Sequence, residues 1–302
     1  MLSLMQTALE LGLISSITVL SLYLSYSMLN ICDLSTDGAF TLGAATGAIV
    51  AISGHPFLSI PAAMLSGALS GFVTAFLQTK MGVDSLLAGI VVNTGLYSVN
   101  IAVMGNSSLL NMNKTDTVFS MCKDLLKGSP LEENYRLLVA LLAVLLVCIF
   151  LVLLLRTRLG LAIRATGNNL AMVRSSSINT TVIQIIGLCV SNSFTGLSGC
   201  LLAQYNKSVN IDIGTGMLTM ALASLLIGRM FFRKRGVSFG VLGAVLGALI
   251  FRAVYTLALR FDMPAYLLKL IASVIVIVAI SGPYFHGKYQ EKRKRAKARV
   301  NN

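Results

Sequence analysis

Apolar segments recur along the whole 302-residue chain, at roughly 8–29, 38–53, 56–78, 84–105, 135–155, 181–204, 215–231, 237–259 and 264–284. A helix needs about 20 apolar residues to span the hydrocarbon layer, and only helices or closed barrels satisfy their backbone there. The chain is therefore expected to be all-α, a polytopic transmembrane helical bundle of about 8–10 spans, some of them broken. Charged residues make up 12% of it, where soluble domains carry about a quarter, so no separate soluble domain fits. Residues 1–284 read as the transmembrane domain, with a linking segment at about 156–180 and a basic tail at 285–302. Leu9–Leu29 has no charged region before it and reads as a retained first span.

The formal net charge of +13 would suggest nucleic acid in a soluble protein, but here the cations flank apolar runs and orient the chain instead. Three connections are strongly basic: Arg156, Arg158, Arg164 and Arg174; Arg229, Arg233, Lys234 and Arg235; and the tail from Lys288 to Arg299. Placing these on the cytoplasmic side makes the alternation of spans close, with 106–134 outside and the Lys80 turn inside. By the same alternation Asp33 to Asp37 falls at a cytoplasm-side break between two spans. Lys269, near the outer end of the last run, is expected to snorkel to the interface.

The stretch Met28–Ala51, MLNICDLSTDGAFTLGAATGAIVA, carries two acids inside an otherwise apolar region. Carboxylates at bilayer depth need the interface, a wet cavity or a partner. Asp37 is placed to cap the helix that begins near Gly38, which leaves Asp33 to meet a partner or a solute pathway. Ser35 and Thr36 between them, Asn93 and Thr94 in mid-span, and Asn192 in the run Ser191–Ser193 are further candidates for lining or gating such a pathway. For Asn93, Thr94 and Asn192 interhelical hydrogen bonding is as good an explanation or a better one. Pairs of small residues such as Gly43 and Gly47, Gly67 and Gly71, and the series Gly236, Gly240, Gly243 and Gly247 suit close packing within one bundle. The string from Asp212 faintly echoes the one from Asp33, each preceding a span of opposite sense, a pattern that inverted repeats produce.

Enzyme signatures are missing. His55 and His286 are the only histidines, which leaves no HExxH site, and no G-x-x-x-x-G-K-[ST] loop exists to hold ATP phosphates. No metal site or bound cofactor is expected of this chain. Its five cysteines are odd in number and irregularly spaced, and read as small buried side chains. Matches to N-x-[ST] at Asn106, Asn113, Asn179 and Asn206 are taken as chance.

Arg156–Asn179 is long for a turn between spans. Asn168 is placed to cap a short helix starting at Asn169, with Leu170 and Val173 on one face and Arg174 beside them. Such a helix suits docking into a cleft on a soluble partner, and a solvated basic loop that only sets orientation accounts for the composition as well.

Three strings in order, DLSTDGAFTLGAATGAIVA, GLAIRATGNNLAMVRSSSIN and LSGCLLAQYNKSVNIDIGTGMLTMALASLLIG, resemble the membrane permeases of bacterial ABC importers of the branched-chain amino acid and ribose type. The likeness runs from about Ser27 to Pro283 and leans toward the branch paired with lipoprotein receptors for aromatic or other amino acids. It implies that Gly160–Ser176 is a coupling helix, with Gly160, Arg164, Ala165, Thr166, Gly167, Asn168, Asn169 and Arg174 at the contact with an ATPase. ABC ATPase subunits would bind ATP and Mg. An extracytoplasmic substrate-binding lipoprotein would dock outside, and a second permease copy would complete a homodimer in the lipid of a bacterial plasma membrane. Where relatives usually carry an acid after the glycine matched by Gly228, this chain has Arg229, so the family's local cytoplasmic contact is not carried over to that position. The competing reading is a secondary transporter without an ATPase, which would need a buried titratable pair that the spans scarcely offer beyond Asp33 and Asp37.

Overall fold

A computed structural model describes residues 2–128, 132–231 and 236–259, together with positions 270, 273, 274, 277 and 281. Of the expected span at 264–284 only those isolated helical positions are described. Arg233, Lys234, Arg235, Lys269 and the tail at 285–302 lie outside the described residues.

Helix α1 (Leu2–Leu22) continues through a π-helical stretch, Tyr23–Met28, into an irregular segment. Helices α2 (Thr36–Ile52), α3 (Ser59–Thr79) and α4 (Ser85–Val103) follow, then strand β1 (Leu109–Asn111), α5 (Val118–Leu125) and α6 (Tyr135–Arg156). The second half comprises α7 (Arg158–Asn168), α8 (Leu170–Ser175), α9 (Thr180–Asn206), strand β2 (Ser208–Asn210), α10 (Met217–Phe231) and α11 (Val237–Leu259). Among the described residues six helices are long and apolar enough to cross a membrane, and α2 and α10 are apolar but shorter. The molecule is thus an all-α polytopic bundle.

These segments become helices because continuous apolar runs in lipid must satisfy their backbone internally, and polar caps mark several of their starts. Asp84 accepts a hydrogen bond from the Leu86 amide to start α4, and Asn179 accepts one from the Val182 amide to start α9. Thr117 and Ser120 form a capping box at α5. On α6, Val144, Val147 and Leu151 are buried while Leu142, Leu146 and Leu153 face outward, as expected of a span with lipid on one side.

The longest helix, α9, is the axis of the bundle. It runs antiparallel to α1 and α3. Gly196 is what permits this: a Cβ there would lie 2.4 Å from the Ala63 carbonyl oxygen, and one on Gly43 would lie 2.3 Å from the Gly196 Cα. Of the glycines expected to favour packing within the bundle, Gly67 and Gly71 abut the Asn192 and Leu188 carbonyls of α9, and Gly247 abuts the Ser224 carbonyl, whereas Gly236 has open space beside it. Hydroxyls stitch the same helices: Ser21 meets Ser191 and Thr195, and Ser198 donates to the Ile14 carbonyl. Gly196→Leu is expected to wedge α2 and α3 away from α9. Overpacking of this kind costs about 1–3 kcal/mol, readable as a lower unfolding midpoint and early aggregation in detergent.

The bundle has two unlike ends. Lys80, Arg156, Arg158, Arg164, Arg174 and Arg229 gather at one, where Arg156 donates to the Ser238 hydroxyl. At the other, β1 and β2 pair antiparallel with Leu110 opposite Val209, and Met104, Met112, Val209 and Ile211 pack onto Ala44, Ala48 and Ala51 of α2.

Candidate functional site

Polar groups concentrate where the chain breaks its helices inside the bundle. After the π-helical stretch, Asn30 takes a left-handed backbone (φ 57°), and the Leu29 and Ile31 amides close on the Leu24 and Ser25 carbonyls. This reversal, and not the Asp33–Asp37 segment, marks the basic end: residues 28 and 29 lie against α7. From there the chain climbs back among the helices. Asp33 reaches Asn192, twelve residues into α9, whose side-chain amide donates to its carboxylate at 2.7 Å. The same carboxylate accepts from the Ser35 amide and hydroxyl at 2.8 and 2.6 Å, and Thr36 donates to the Asp33 carbonyl. Asp33, Ser35, Thr36 and Asn192 are all buried.

Asp37 differs from its expected role. It sits in the first turn of α2, but its carboxylate does not cap that helix. Its oxygens accept from the Gly216 amide at 3.0 Å and the Leu218 amide at 2.8 Å, so it caps α10. The physical reason is positional: within its own first turn the side chain points away from the free amides that a preceding residue reaches. The amino ends of α2 and α10 therefore converge on one carboxylate, where both helix dipoles favour negative charge. The two strings that echo each other in sequence meet here. Gly214 is required for the contact, since a Cβ would lie 2.1 Å from the Asp37 carbonyl oxygen.

Beside this junction lies a cleft of about 260 Å³ lined by Asp37, Gly38, Thr41, Asn93, Thr94, Tyr97, Asn100, Ile211, Asp212 and Thr215. Of the residues singled out in sequence, Asp37, Asn93 and Thr94 line it, whereas Asp33, Ser35, Thr36 and Asn192 are packed behind it in the hydrogen-bonded network. Asn100 and Tyr97 were not singled out. They follow Asn93 by seven and four residues and so share its helical face, a spacing that would have exposed them. Asn100 donates to the Gly38 carbonyl at 3.2 Å. Among the described residues no lysine, arginine or histidine lines the cleft.

At the basic end the linking segment forms two helices. Thr157 starts α7 by accepting from the Gly160 amide, and α8 is capped by Asn169, which accepts from the Met172 amide at 3.1 Å. The cap is thus Asn169 and not Asn168, because Asn168 is still the last residue of α7 and only Asn169 has the extended backbone of a cap (φ −155°, ψ 97°). Gly160, Ile163, Thr166 and Val173 are buried against the bundle, while Arg164, Ala165, Asn168, Asn169, Met172 and Arg174 face out. Gly167 is the point of closest approach: a Cβ there would lie 2.0 Å from the Met28 carbonyl oxygen. All five cysteines are free, and among the described residues no group of acids, cysteines and histidines could hold a metal.

Comparison with known families matches residues 4–280 to the model described as branched-chain amino acid transport system, permease component. A tyrosine transport system permease protein of Clostridioides difficile is 33% identical over 271 residues, covering 89% of this chain and 88% of the relative. The ribose import permease protein RbsC of Escherichia coli is 27% identical over 254 residues, covering 82% and 75%. An autoinducer 2 import system permease protein of Escherichia coli matches at 27% over 139 residues, 46% of this chain and 40% of the relative. No solved structure matches.

Proposed function

The chain belongs to the family of permease components of branched-chain amino acid transport systems, and from that premise we propose that it carries an amino acid inward as the membrane half of an ATP-driven importer. It is a multi-pass membrane protein and a transport subunit rather than an enzyme. The solute class follows the tyrosine transport relative, and the uncharged or acidic lining of the cleft suits a zwitterion better than an anion.

The observation that carries the coupling role is the posture of α7 and α8. One face is anchored on the bundle through Ile163, Thr166 and Val173, and the other presents Arg164, Asn168 and Met172 outward at the basic end. A rigid, anchored helix pair transmits a push from a soluble partner to the spans, which a loose loop would not. In this reading ATP and Mg reside on partner ATPase subunits, a binding lipoprotein delivers solute at the opposite end, and a second copy of the chain pairs with the first within the lipid. ATP binding closes the ATPase pair, and the helix pair passes that motion to the residue 28–29 reversal and α9.

Reconstitution with its ATPase in liposomes tests the assignment. Uptake should require both ATP and the ATPase, and uptake driven by the permease alone would replace the importer with a secondary transporter. Arg164→Glu, an exposed change, should leave insertion intact while uptake drops and ATP hydrolysis ceases to follow solute. Unchanged transport by that variant would remove Arg164 from the contact.

A further inference from the structure

We propose that the cleft beside the α2–α10 junction is a way station that recognises a protonated amine on the passing solute. The proposal rests on reading the chain as a solute permease and adds what the permease itself selects.

The cleft carries a surplus of acceptors. Asp37 presents a carboxylate whose two oxygens each take one amide hydrogen from α10, which leaves lone pairs free on both. Asp212 stands at the exposed edge, and its carboxylate accepts no hydrogen bond from the described residues; its own amide and carbonyl are occupied by Asn210 and Thr215. Asn100 gives the independent sign of a missing guest. It is 1% exposed, its amide nitrogen is committed to Gly38, and its side-chain oxygen is buried with no partner. A buried acceptor left unpaired is costly, so its persistence at the wall of a cleft points to a donor that arrives from outside. Among the described residues no cation lines the cleft to neutralise these groups.

A primary ammonium group supplies what is lacking, namely positive charge and three donors on one compact atom. At about 260 Å³ the space takes the polar end of a small solute, below the roughly 300–1,000 Å³ of pockets that enclose drug-sized ligands. An anion would meet two carboxylates, and a neutral polyol would leave the charges unanswered.

The test uses the full-length permease in nanodiscs of zwitterionic lipid, titrated with ethanolamine and with ethylene glycol, which differ only in the ammonium group. Binding is read by saturation-transfer NMR against empty nanodiscs. Ethanolamine should bind about ten-fold more tightly than ethylene glycol, as the loss of one charge-assisted hydrogen bond predicts. Asp212→Asn, isosteric and at an exposed position, should erase the difference, and Asp212→Glu should restore it, with all three proteins eluting as single species. Equal binding of the two probes, or discrimination that survives Asp212→Asn, would overturn the proposal. Equal binding by a chain whose uptake still depends on the ATPase overturns the amine site and leaves the importer standing. Discrimination by a chain that transports without the ATPase does the reverse.

Discussion

Replacing Asp37 by alanine is expected to destabilise the bundle by roughly 3 kcal/mol, seen as a large fall in the unfolding midpoint in detergent and loss of uptake. The change removes two charge-assisted hydrogen bonds at once, to the exposed Gly216 amide and the part-buried Leu218 amide at the start of α10. It also removes negative charge from the meeting point of two helix amino ends. Asp37→Asn keeps one acceptor oxygen and the shape of the side chain, so about half the loss should return. An alanine variant that unfolds at the wild-type midpoint would mean that packing on α11, α1 and α2 is enough to hold α10.

The second large effect falls on Gly167. Gly167→Leu places a side chain where the Met28 carbonyl oxygen sits 2.0 Å from an ideal Cβ, so α7 must lift from the bundle. Overpacking of about 1–3 kcal/mol shifts the docked posture by about 5- to 150-fold. Uptake should fall accordingly while the ATPase continues to turn over, because α7 is displaced and the spans are otherwise untouched. The readout is the ratio of solute moved to ATP hydrolysed in proteoliposomes. If the ratio is unchanged, the contact between Gly167 and Met28 plays no part in transmission.

Much of the architecture was legible because membrane spans write themselves in composition. The runs at 56–78, 84–105, 135–155 and 181–204 correspond to α3, α4, α6 and α9 within a few residues, since twenty apolar positions in lipid leave the backbone one way to satisfy itself. The described residues of the first two basic connections, Arg156, Arg158, Arg164, Arg174 and Arg229, also gather at one end. What stayed hidden was anything decided by long-range pairing. Asp37 has the local look of a cap for its own helix, and only the fold brings it to amides 179 and 181 positions away. The same holds for the Asn168 assignment, where two neighbouring asparagines each suit a cap and the outcome depends on where α7 stops. The polar residues of α9 divided for a similar reason. Ser191 and Asn192 turn to α1 and Asp33, while the cleft forms on α4, whose Asn93, Tyr97 and Asn100 share a face that hydropathy alone does not reveal.

The junction of α2 with α10 also bears on how the chain is made. The acid that caps α10 leaves the ribosome some 180 residues before the amides it will bind. A 15-residue apolar helix is short for independent entry into a bilayer. Its place in the bundle is shaped by α1 and α2, made before it, and by α11, made after it. Until α10 arrives, α2 holds an uncapped carboxylate inside the bundle. A nascent chain stalled before Met217 thus carries an exposed defect at its centre, by which unfinished copies differ from finished ones.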